Sequence, residues 1–403
     1  MLNNNFLDKI ANNLSDLQTS GLYKNEYQIS GQQFSEIKIW HNGNKKKVLN
    51  FCANNYLGLA NNRDLMDIAK KSIDEYGLGT ASVRFICGTL DIHKKFENKI
   101  SSFLGYEDTI TFSSCFAANG ALFSALFTDK DAIISADLNH ASIIDGIRLC
   151  KATRYFYKYN DMQQLEQKLQ ESQHHENRII VTDGVFSMDG DIANLTSICN
   201  LAEKYNAILV VDDSHATGFI GKNGRGTAEL CNVEGRIDIL VSTIGKALGG
   251  AGGGFICSKK PIIDKLRNYA RPYLFSNNIL PLVASVGIEI IDMINKSQYL
   301  IEKLSNNTSY FRQKIIEAGF DIYSKEGNHP VVPVMLYDAV LASKFAKVMI
   351  EDHGIYVIAF SYPVVPNNTA RIRVQISAAH EKEHLDTAIQ AFIAVGKKLG
   401  VIK

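Results

Sequence analysis

The stretch NAILVVDDSH (206–215) is an apolar, β-branched run that ends in four polar residues. Two further runs have the same form, namely NRIIVTDG (177–184) and IDILVSTIG (237–245). Between the first pair lies NLTSICNLAEKY (194–205), in which apolar residues recur at helical spacing. Alternation of short strands with amphipathic helices is typical of β-α-β units. The sequence therefore predicts an α/β fold built on a mostly parallel central sheet.

Polar groups follow each of these three strands. They are Ser187, the segment Asp212 to His215, and the segment Thr243 to Lys246. Taken singly, each is also explained as a turn or cap residue. In open α/β sheets, however, functional groups gather beyond the carboxyl ends of the strands. A carboxylate, a histidine and a lysine on successive strands therefore indicate a common site.

Lys246 lies in VSTIGKALGGAGGGF (241–255), among six glycines. Glycines allow a sharp turn or the close approach of a ligand, so a lysine here contacts a phosphate or acts as a nucleophile. A Walker A loop requires G-x-x-x-x-G-K-[ST]. Ala247 follows the lysine, and Leu240 stands where the first glycine is required. These two residues exclude a Walker A loop.

Composition limits the classes of protein to be considered. The chain has 403 residues, 46% of them hydrophobic and 21% charged, with a net charge of +1. That balance disfavours nucleic acid or an anionic membrane as the main partner. No apolar run approaches the ~20 residues of a membrane helix, and the seven cysteines form no C-x-x-C pair. We expect a cytoplasmic protein without a disulfide framework or a metal site.

The pattern of apolar residues differs between three parts of the chain. An N-terminal arm (1–55) precedes a large α/β domain (56–285), and a smaller α+β domain (286–403) follows. Helical spacing predicts long helices over 277–298 and 300–318. The apolar runs HPVVPVMLYD and TARIRVQISAAH come after them, separated by another helix. The sequence therefore predicts two domains and an arm.

The lysine and the carboxylate together suit pyridoxal phosphate (PLP). That cofactor needs a lysine to hold its aldehyde and a carboxylate to keep its ring nitrogen protonated. It also needs a cradle for its phosphate. SSCFAANGALFSALF (113–127) has small polar residues that open a helix, whose first N–H groups favour an anion. Alone, this stretch is explained equally well as a capped core helix.

The order of these features resembles the α-oxoamine synthase family of fold-type I PLP enzymes. The cradle is followed by His140, by the Asp212 to His215 segment, and by Thr243-x-x-Lys246. The resemblance runs from about residue 50 to the C-terminus. It rests on the motifs ANNYLGLAN, ASVRFICGT, NHASIIDGIRLCKA, TDGVFSMDG, STIGKALGG, RPYLFSN and YPVVP. It implies a large PLP-binding domain with a mostly parallel sheet, a smaller α+β domain, and a homodimer with shared active sites.

The motifs are most similar to those of the family members that act on glycine. The resemblance thus implies that glycine and acetyl-CoA are interconverted with 2-amino-3-oxobutanoate and CoA, within threonine breakdown. It also suggests functional coupling to a threonine dehydrogenase. The alternative is a member that uses another amino acid or acyl-CoA, such as 8-amino-7-oxononanoate synthase. A non-catalytic subunit is disfavoured because Lys246, Asp212 and His215 are all present.

Four residues are implied to be catalytic. Lys246 would hold the cofactor and remove the glycine α-proton. Asp212 would pair with the ring nitrogen, which leaves Asp213 structural. His215 would contact the phenolic oxygen of the ring, and His140 would stack on its face.

Further residues are implied to hold the phosphate. The backbone N–H groups of Cys115 and Phe116 would bind it together with the Thr243 hydroxyl. Ser276 and Asn277 would reach it from the other subunit.

The substrate carboxylate is implied to lie near Asn54, Ser187 and Arg373, with His140 close by and Ser187 also beside the cofactor. An arginine suits a carboxylate because its guanidinium donates two parallel hydrogen bonds. Without the resemblance, Arg373 is explained as a surface arginine of a strand.

Overall fold

The structure, a computed structural model, describes residues 3–20, 22–324 and 327–403. Within these ranges it contains fifteen strands, fourteen α-helices and a short 3₁₀ helix at Leu59–Asn61. The strands are β1 (Glu36–His41), β2 (Asn44–Asn50), β3 (Asp108–Phe112), β4 (Ala132–Ala136), β5 (Thr153–Tyr157), β6 (Arg178–Asp183), β7 (Val185–Phe186), β8 (Asp191–Ile192), β9 (Ile208–Asp212), β10 (Ile239–Thr243), β11 (Gly254–Ser258), β12 (Val331–Tyr337), β13 (Ile355–Tyr356), β14 (Ile358–Phe360) and β15 (Ala370–Gln375). The helices are α1 (Asn4–Thr19), α2 (Arg63–Tyr76), α3 (Asp91–Leu104), α4 (Cys115–Leu126), α5 (Ala141–Leu149), α6 (Met162–Glu171), α7 (Leu195–Lys204), α8 (Thr227–Leu230), α9 (Lys260–Tyr269), α10 (Arg271–Leu274), α11 (Pro281–Lys296), α12 (Tyr299–Glu317), α13 (Ala339–His353) and α14 (Lys382–Lys398).

The described chain forms two compact units. The larger comprises Asn54–Ser187 and Asp191–Glu302. The smaller comprises the described residues of Met1–Ala53, together with Met188–Gly190 and Lys303–Lys403. The division into an arm and two domains, with boundaries at 55 and 285, stays a prediction.

A seven-stranded sheet runs through the larger unit in the order β3-β11-β10-β9-β6-β4-β5. The five strands from β10 to β5 are parallel, and β11 is antiparallel to both β10 and β3. Strand β3 therefore points the same way as the parallel five. The predicted α/β fold with a mostly parallel sheet is confirmed.

Both faces of this sheet are buried because successive side chains of a strand point to opposite sides. Val181 and Val210 pack on one face with α4 and α5. Ile180 and Leu209 pack on the other face with α6 and α7. A sheet covered on both faces leaves its strand ends as the place where polar groups reach a ligand.

The smaller unit contains two three-stranded sheets, β1-β2-β13 and β12-β15-β14. The second is antiparallel, and its β12 and β15 correspond to the two apolar runs predicted after residue 318. Helix α11 begins at Pro281, later than the predicted 277, because proline favours the first helical position and restricts the residue before it. Among the described helices, none combines the length and apolarity that crossing a membrane requires.

Candidate active site

A cleft lies at the edge of the sheet where β4, β6, β9 and β10 end and α4 begins. It encloses about 310 Å³ of empty space. Seven of the predicted site residues line it, and Asp183, Ser142 and Ser214 complete the lining. The seven are Cys115, Phe116, His140, Ser187, Asp212, His215 and Lys246.

Asp212 is the last residue of β9, and its side chain is buried at the bottom of the cleft. Its Oδ1 accepts a hydrogen bond of 3.0 Å from the Ser214 N–H. Its Oδ2 accepts one of 2.7 Å from Asn119 Nδ2. The carboxylate is thus oriented by neutral donors, an arrangement that fits pairing with a protonated ring nitrogen.

Asp183, at the end of the neighbouring strand β6, also lines the cleft. Its Oδ2 accepts a hydrogen bond of 2.8 Å from the His140 N–H. Burial, and then the charge of Asp212, raises the pKa of Asp183 well above its ordinary value. The raised pKa favours the neutral form of Asp183.

Asp213 is fully buried and is not among the residues that line the cleft. Its Oδ2 accepts a hydrogen bond of 2.8 Å from Thr217 Oγ1, and its Oδ1 accepts one of 3.2 Å from the Thr227 N–H. Burial raises the pKa of Asp213 to about 7. These contacts support the expectation that Asp213 is structural.

The start of α4 has the properties of an anion cradle. The Ser114 side chain caps the helix by accepting a 3.0 Å hydrogen bond from the Ala117 N–H. The N–H groups of Cys115 and Phe116 have no hydrogen-bond acceptor among the described residues. Unpaired N–H groups at a helix N-terminus favour a phosphate, so the donor set here fits that part of PLP.

Lys246 is half-buried in the loop between β10 and β11. Gly254 in this region allows close packing, since a Cβ there would lie 2.4 Å from Cys115 Cα. At Gly253, which has φ 147°, a Cβ would lie 2.8 Å from Ile244 Cδ1. At these two positions protein atoms explain the need for glycine, and the close approach of a ligand to this loop stays a prediction.

The Thr243 hydroxyl is engaged within the same loop. It donates to the Gly253 carbonyl at 3.1 Å and accepts from the Gly245 N–H at 3.1 Å. Thr243 is not among the residues that line the cleft. Its phosphate contact stays a prediction.

Two histidines lie on the walls of the cleft. His140 caps α5, and its Nδ1 is 2.7 Å from Ser142 Oγ. Burial lowers the pKa of His140; the charge of Asp212 opposes this and that of Lys246 adds to it, and the net effect is a lowered pKa. His215 is buried, and its Nδ1 is 2.8 Å from the hydroxyl of the buried Tyr56.

Three residues that contact these groups were not predicted as site residues: Asn119, Ser142 and Tyr56. Asn119 is a buried amide in a helix that is otherwise almost entirely apolar. A polar side chain in such a helix requires a hydrogen-bond partner. That requirement is the sequence signal from which Asn119 could have been identified.

Besides Thr243, four predicted residues are not among those that line the cleft. Ser276 and Asn277 are exposed after α10, and Asn54 is half-buried. Arg373 is buried in β15 of the smaller unit, with its guanidinium carbon 4.8 Å from the centre of the Phe360 ring. The alternative that Arg373 is a surface residue was wrong, and the substrate roles of Asn54 and Arg373 stay predictions.

Comparison with known proteins gives consistent results. The model of the family described as aminotransferase class I and II matches residues 46–392. The 2-amino-3-ketobutyrate coenzyme A ligase of Escherichia coli is 51% identical over 98% of this chain and 99% of its own length. The mitochondrial 2-amino-3-ketobutyrate coenzyme A ligase of Homo sapiens is 48% identical over 96% of this chain and 92% of its own.

More distant similarities extend over the same length. The 8-amino-7-oxononanoate synthase of Thermosipho melanesiensis is 44% identical over 97% of this chain and 98% of its own. A high-resolution structure of SPT with PLP has a TM-score of 0.93 and 29% identity, covering 99% of both chains.

Proposed function

The chain belongs to the class I and II aminotransferase family, and we propose that it is a PLP-dependent glycine C-acetyltransferase. It interconverts glycine and acetyl-CoA with 2-amino-3-oxobutanoate and CoA. The choice of substrates rests on its similarity to 2-amino-3-ketobutyrate coenzyme A ligases over almost the whole chain. One observation in the structure supports the chemistry, which is that a single cleft contains Lys246, Asp212 and the free N–H groups of α4.

The cleft residues divide the binding of PLP among themselves. The N–H groups of Cys115 and Phe116 hold the phosphate, and Asp212 pairs with the ring nitrogen. His215 contacts the phenolic oxygen, and His140 stacks on the ring. Bound PLP supplies an electron sink for the negative charge that develops on the substrate α-carbon.

Lys246 performs the proton transfer in this proposal. Its Nζ would hold the cofactor, and as a free amine it would accept the glycine α-proton. Ser187, Asn54 and Arg373 orient the substrate carboxylate. A fixed carboxylate places the α-hydrogen within reach of the lysine, which is how positioning lowers the barrier.

The direct test is an assay for CoA released from acetyl-CoA with glycine as acceptor. We expect the highest kcat/KM for this pair in a panel that includes alanine, serine and longer acyl-CoA thioesters. Lys246→Ala serves as the inactive control. A higher kcat/KM for another pair would assign the chain to a different α-oxoamine synthase activity, and no release with any pair would overturn the proposal.

We also propose that the enzyme is a homodimer whose active sites are shared. Large apolar side chains are exposed on the larger unit, including Leu78 (72%), Phe275 (68%) and Phe116 (54%). Exposed apolar side chains of this size favour burial against another chain. Phe275 directly precedes Ser276 and Asn277, which in this proposal reach the phosphate of the partner subunit.

Complementation tests the shared site. A Lys246→Ala chain is co-expressed with a Ser276→Ala/Asn277→Ala chain, each inactive alone. Random pairing makes about half of the dimers mixed, and each mixed dimer has one intact site, so about a quarter of wild-type turnover should return. Verified mixed dimers without activity would mean that these residues act within their own chain.

The cellular setting is the finer part of the proposal. We place the enzyme in the cytoplasm, in the breakdown of threonine to glycine, coupled to a threonine dehydrogenase. Cell fractionation tests the compartment. A gain in glycine yield from threonine, NAD⁺ and CoA when both enzymes are present, beyond the yield from the two used in succession, tests the coupling.

A further inference from the structure

A continuous chain of hydrogen bonds joins the two sides of the cleft. Asn119 Nδ2 lies 2.7 Å from Asp212 Oδ2 and 2.9 Å from Ser142 Oγ. Ser142 Oγ lies 2.7 Å from His140 Nδ1. Asn119, Ser142 and Asp212 are all buried, so these polar groups depend on one another for hydrogen bonds.

The chemistry of these groups fixes the direction of each hydrogen bond. A carboxylate only accepts, so the amide nitrogen of Asn119, and not its oxygen, faces Asp212. The second hydrogen of that nitrogen is donated to Ser142 Oγ. The hydroxyl hydrogen of Ser142 then has one acceptor left among its described neighbours, which is His140 Nδ1.

The buried Asn119 Oδ1 has no hydrogen-bond partner among the described residues. Turning the amide over would not relieve this, because Oδ1 would then face the Asp212 carboxylate. A buried acceptor without a partner costs free energy. The arrangement therefore keeps the hydrogen bond from Asn119 Nδ2 to Asp212 and leaves Asn119 Oδ1 without a partner among the described residues.

We propose that Asn119 and Ser142 are positioning residues that hold His140 in the tautomer with its proton on Nε2. Resting on the proposed function, this assignment makes His140 a hydrogen-bond donor toward the cleft it lines. Among the described residues, nothing accepts a hydrogen bond from Nε2. The donor is therefore available to a substrate oxygen, either of the carboxylate or of the thioester carbonyl.

One further contact and the pKa of His140 agree with an accepting Nδ1. The Ser142 N–H also points to it, at 3.3 Å. Burial lowers the pKa of His140, which favours the neutral ring over one protonated on both nitrogens. Because Asp212 begins this chain of hydrogen bonds, the residue that pairs with the ring nitrogen also determines which nitrogen of His140 carries the proton.

The test reads the tautomer directly. The PLP-loaded enzyme is labelled with ¹⁵N-histidine, and long-range ¹H–¹⁵N correlation distinguishes protonated from unprotonated ring nitrogens. His140→Gln assigns the signal, and the pH is kept above the ordinary histidine pKa of ~6.5. We expect a single His140 tautomer with the proton on Nε2, whereas a proton on Nδ1, or on both nitrogens, would overturn the proposal.

Variants at Ser142 test whether this chain of hydrogen bonds sets the tautomer of His140. Ser142→Ala should give averaged nitrogen shifts from two tautomers, and kcat should fall about tenfold, as expected for one lost hydrogen bond. Ser142→Thr, which keeps the hydroxyl, should restore the single tautomer and most of kcat. Ser197 also lies in the first turn of a helix, α7, so Ser197→Ala is the control and should change neither the tautomer of His140 nor kcat.

An unchanged single tautomer in Ser142→Ala would show that the hydrogen bond from Ser142 does not set the tautomer of His140. That result would overturn the proposal. The wild-type spectrum decides the question even where the alanine variant does not fold. Because the spectrum needs no substrate, a failed glycine and acetyl-CoA assay would leave this result standing. The two proposals therefore fail separately.

Discussion

Two groups of charged side chains, each built around buried acids, lie in the larger unit, and they differ in how their charge is balanced. The first, called the Glu97 cluster, consists of Arg84, Lys94, Glu97, Asp108 and Arg267. Glu97 lies 3.0 Å from Arg84, 3.0 Å from Lys94 and 3.3 Å from Arg267. Burial alone would raise the pKa of Glu97, but the charges of Arg84, Arg267 and Lys94 lower it to about 2.

The second group is at the cleft, where acids outnumber bases. Asp183, Asp212 and Asp213 lie at the ends of two adjacent strands. Lys246 is the lysine among the residues that line the cleft. Neutral donors, not cations, hold Asp212. The pKa values of Asp183 and Asp213 are raised, by burial first.

The difference indicates what each group is for. A buried acid surrounded by cations contributes to the folded state only while every partner is present. A buried acid held by neutral donors is available to pair with a cationic ligand, and strongly perturbed pKa values such as that of Asp183 cluster at functional sites. The Glu97 cluster should therefore govern stability, and the cleft should govern turnover.

The largest effect is expected from Lys246→Ala. Loss of the lysine removes both the attachment of the cofactor and the base, so kcat for CoA release should fall by a factor on the order of 10³–10⁴. In the wild type, borohydride should fix PLP to Lys246, as read by peptide mapping. Lys151→Ala, an exposed lysine, is the control. A label on another lysine would contradict the assignment.

Glu97→Gln should have the next largest effect, and on stability alone. Removing the acid leaves the buried Arg84 without its counter-charge and Arg267 with Asp108 alone, so the free energy of unfolding should fall by about 3–5 kcal/mol. Urea unfolding measures this. The kcat of the folded protein should stay at the wild-type value.

Glu171→Gln is the matched control, because Glu171 pairs with Lys168 at 2.8 Å on the surface. Exposed pairs contribute about 0–1 kcal/mol. The distinction between the two groups breaks down if Glu97→Gln lowers kcat, or if its loss of stability is no larger than that of the control.

Asp212→Asn, in contrast to Glu97→Gln, should lower turnover and leave stability almost unchanged. Without the negative charge the ring nitrogen of the cofactor loses its partner, so kcat should fall by about 10²–10³, or about 2.7–4 kcal/mol. Asn is similar in shape, so PLP binding, followed by absorbance, should persist and the urea midpoint should change little. Wild-type turnover in this variant would remove Asp212 from the proposed mechanism.

Much of the fold and of the candidate site could be predicted from the sequence. The alternation of strand and helix in residues 177–245 predicts the parallel sheet, because both signals are local. The strand ends then identify Asp212, His215 and Lys246. What could not be predicted depends on packing between distant segments.

Asn119 shows where the sequence signal ends. Its contact with Asp212 joins residues 93 positions apart, across α4 and β9. Likewise, Tyr56 reaches His215 over 159 positions. The burial of Arg373 is also a tertiary property, since a strand arginine has the same local pattern whether its face is covered or exposed.

Asp213→Asn should have the smallest effect on turnover, and its effect on stability should depend on pH. An unfolded aspartate releases its proton near pH ~3.9. The folded protein, in which the pKa of Asp213 is about 7, retains the proton to higher pH. Between these values the folded state binds more protons, so the wild type loses stability as pH rises, with a slope of at most ~1.4 kcal/mol per pH unit.

The asparagine variant lacks this group, so its free energy of unfolding relative to the wild type should rise over the same window and level off above about pH 7. Urea unfolding of both cofactor-free proteins at several pH values measures the difference. Asp183 also has a raised pKa, but it is present in both proteins, so its contribution cancels. Parallel pH profiles would mean that Asp213 is ionised in the folded protein at its ordinary pKa. The second group would then contain one more buried negative charge, and its contrast with the Glu97 cluster would be sharper.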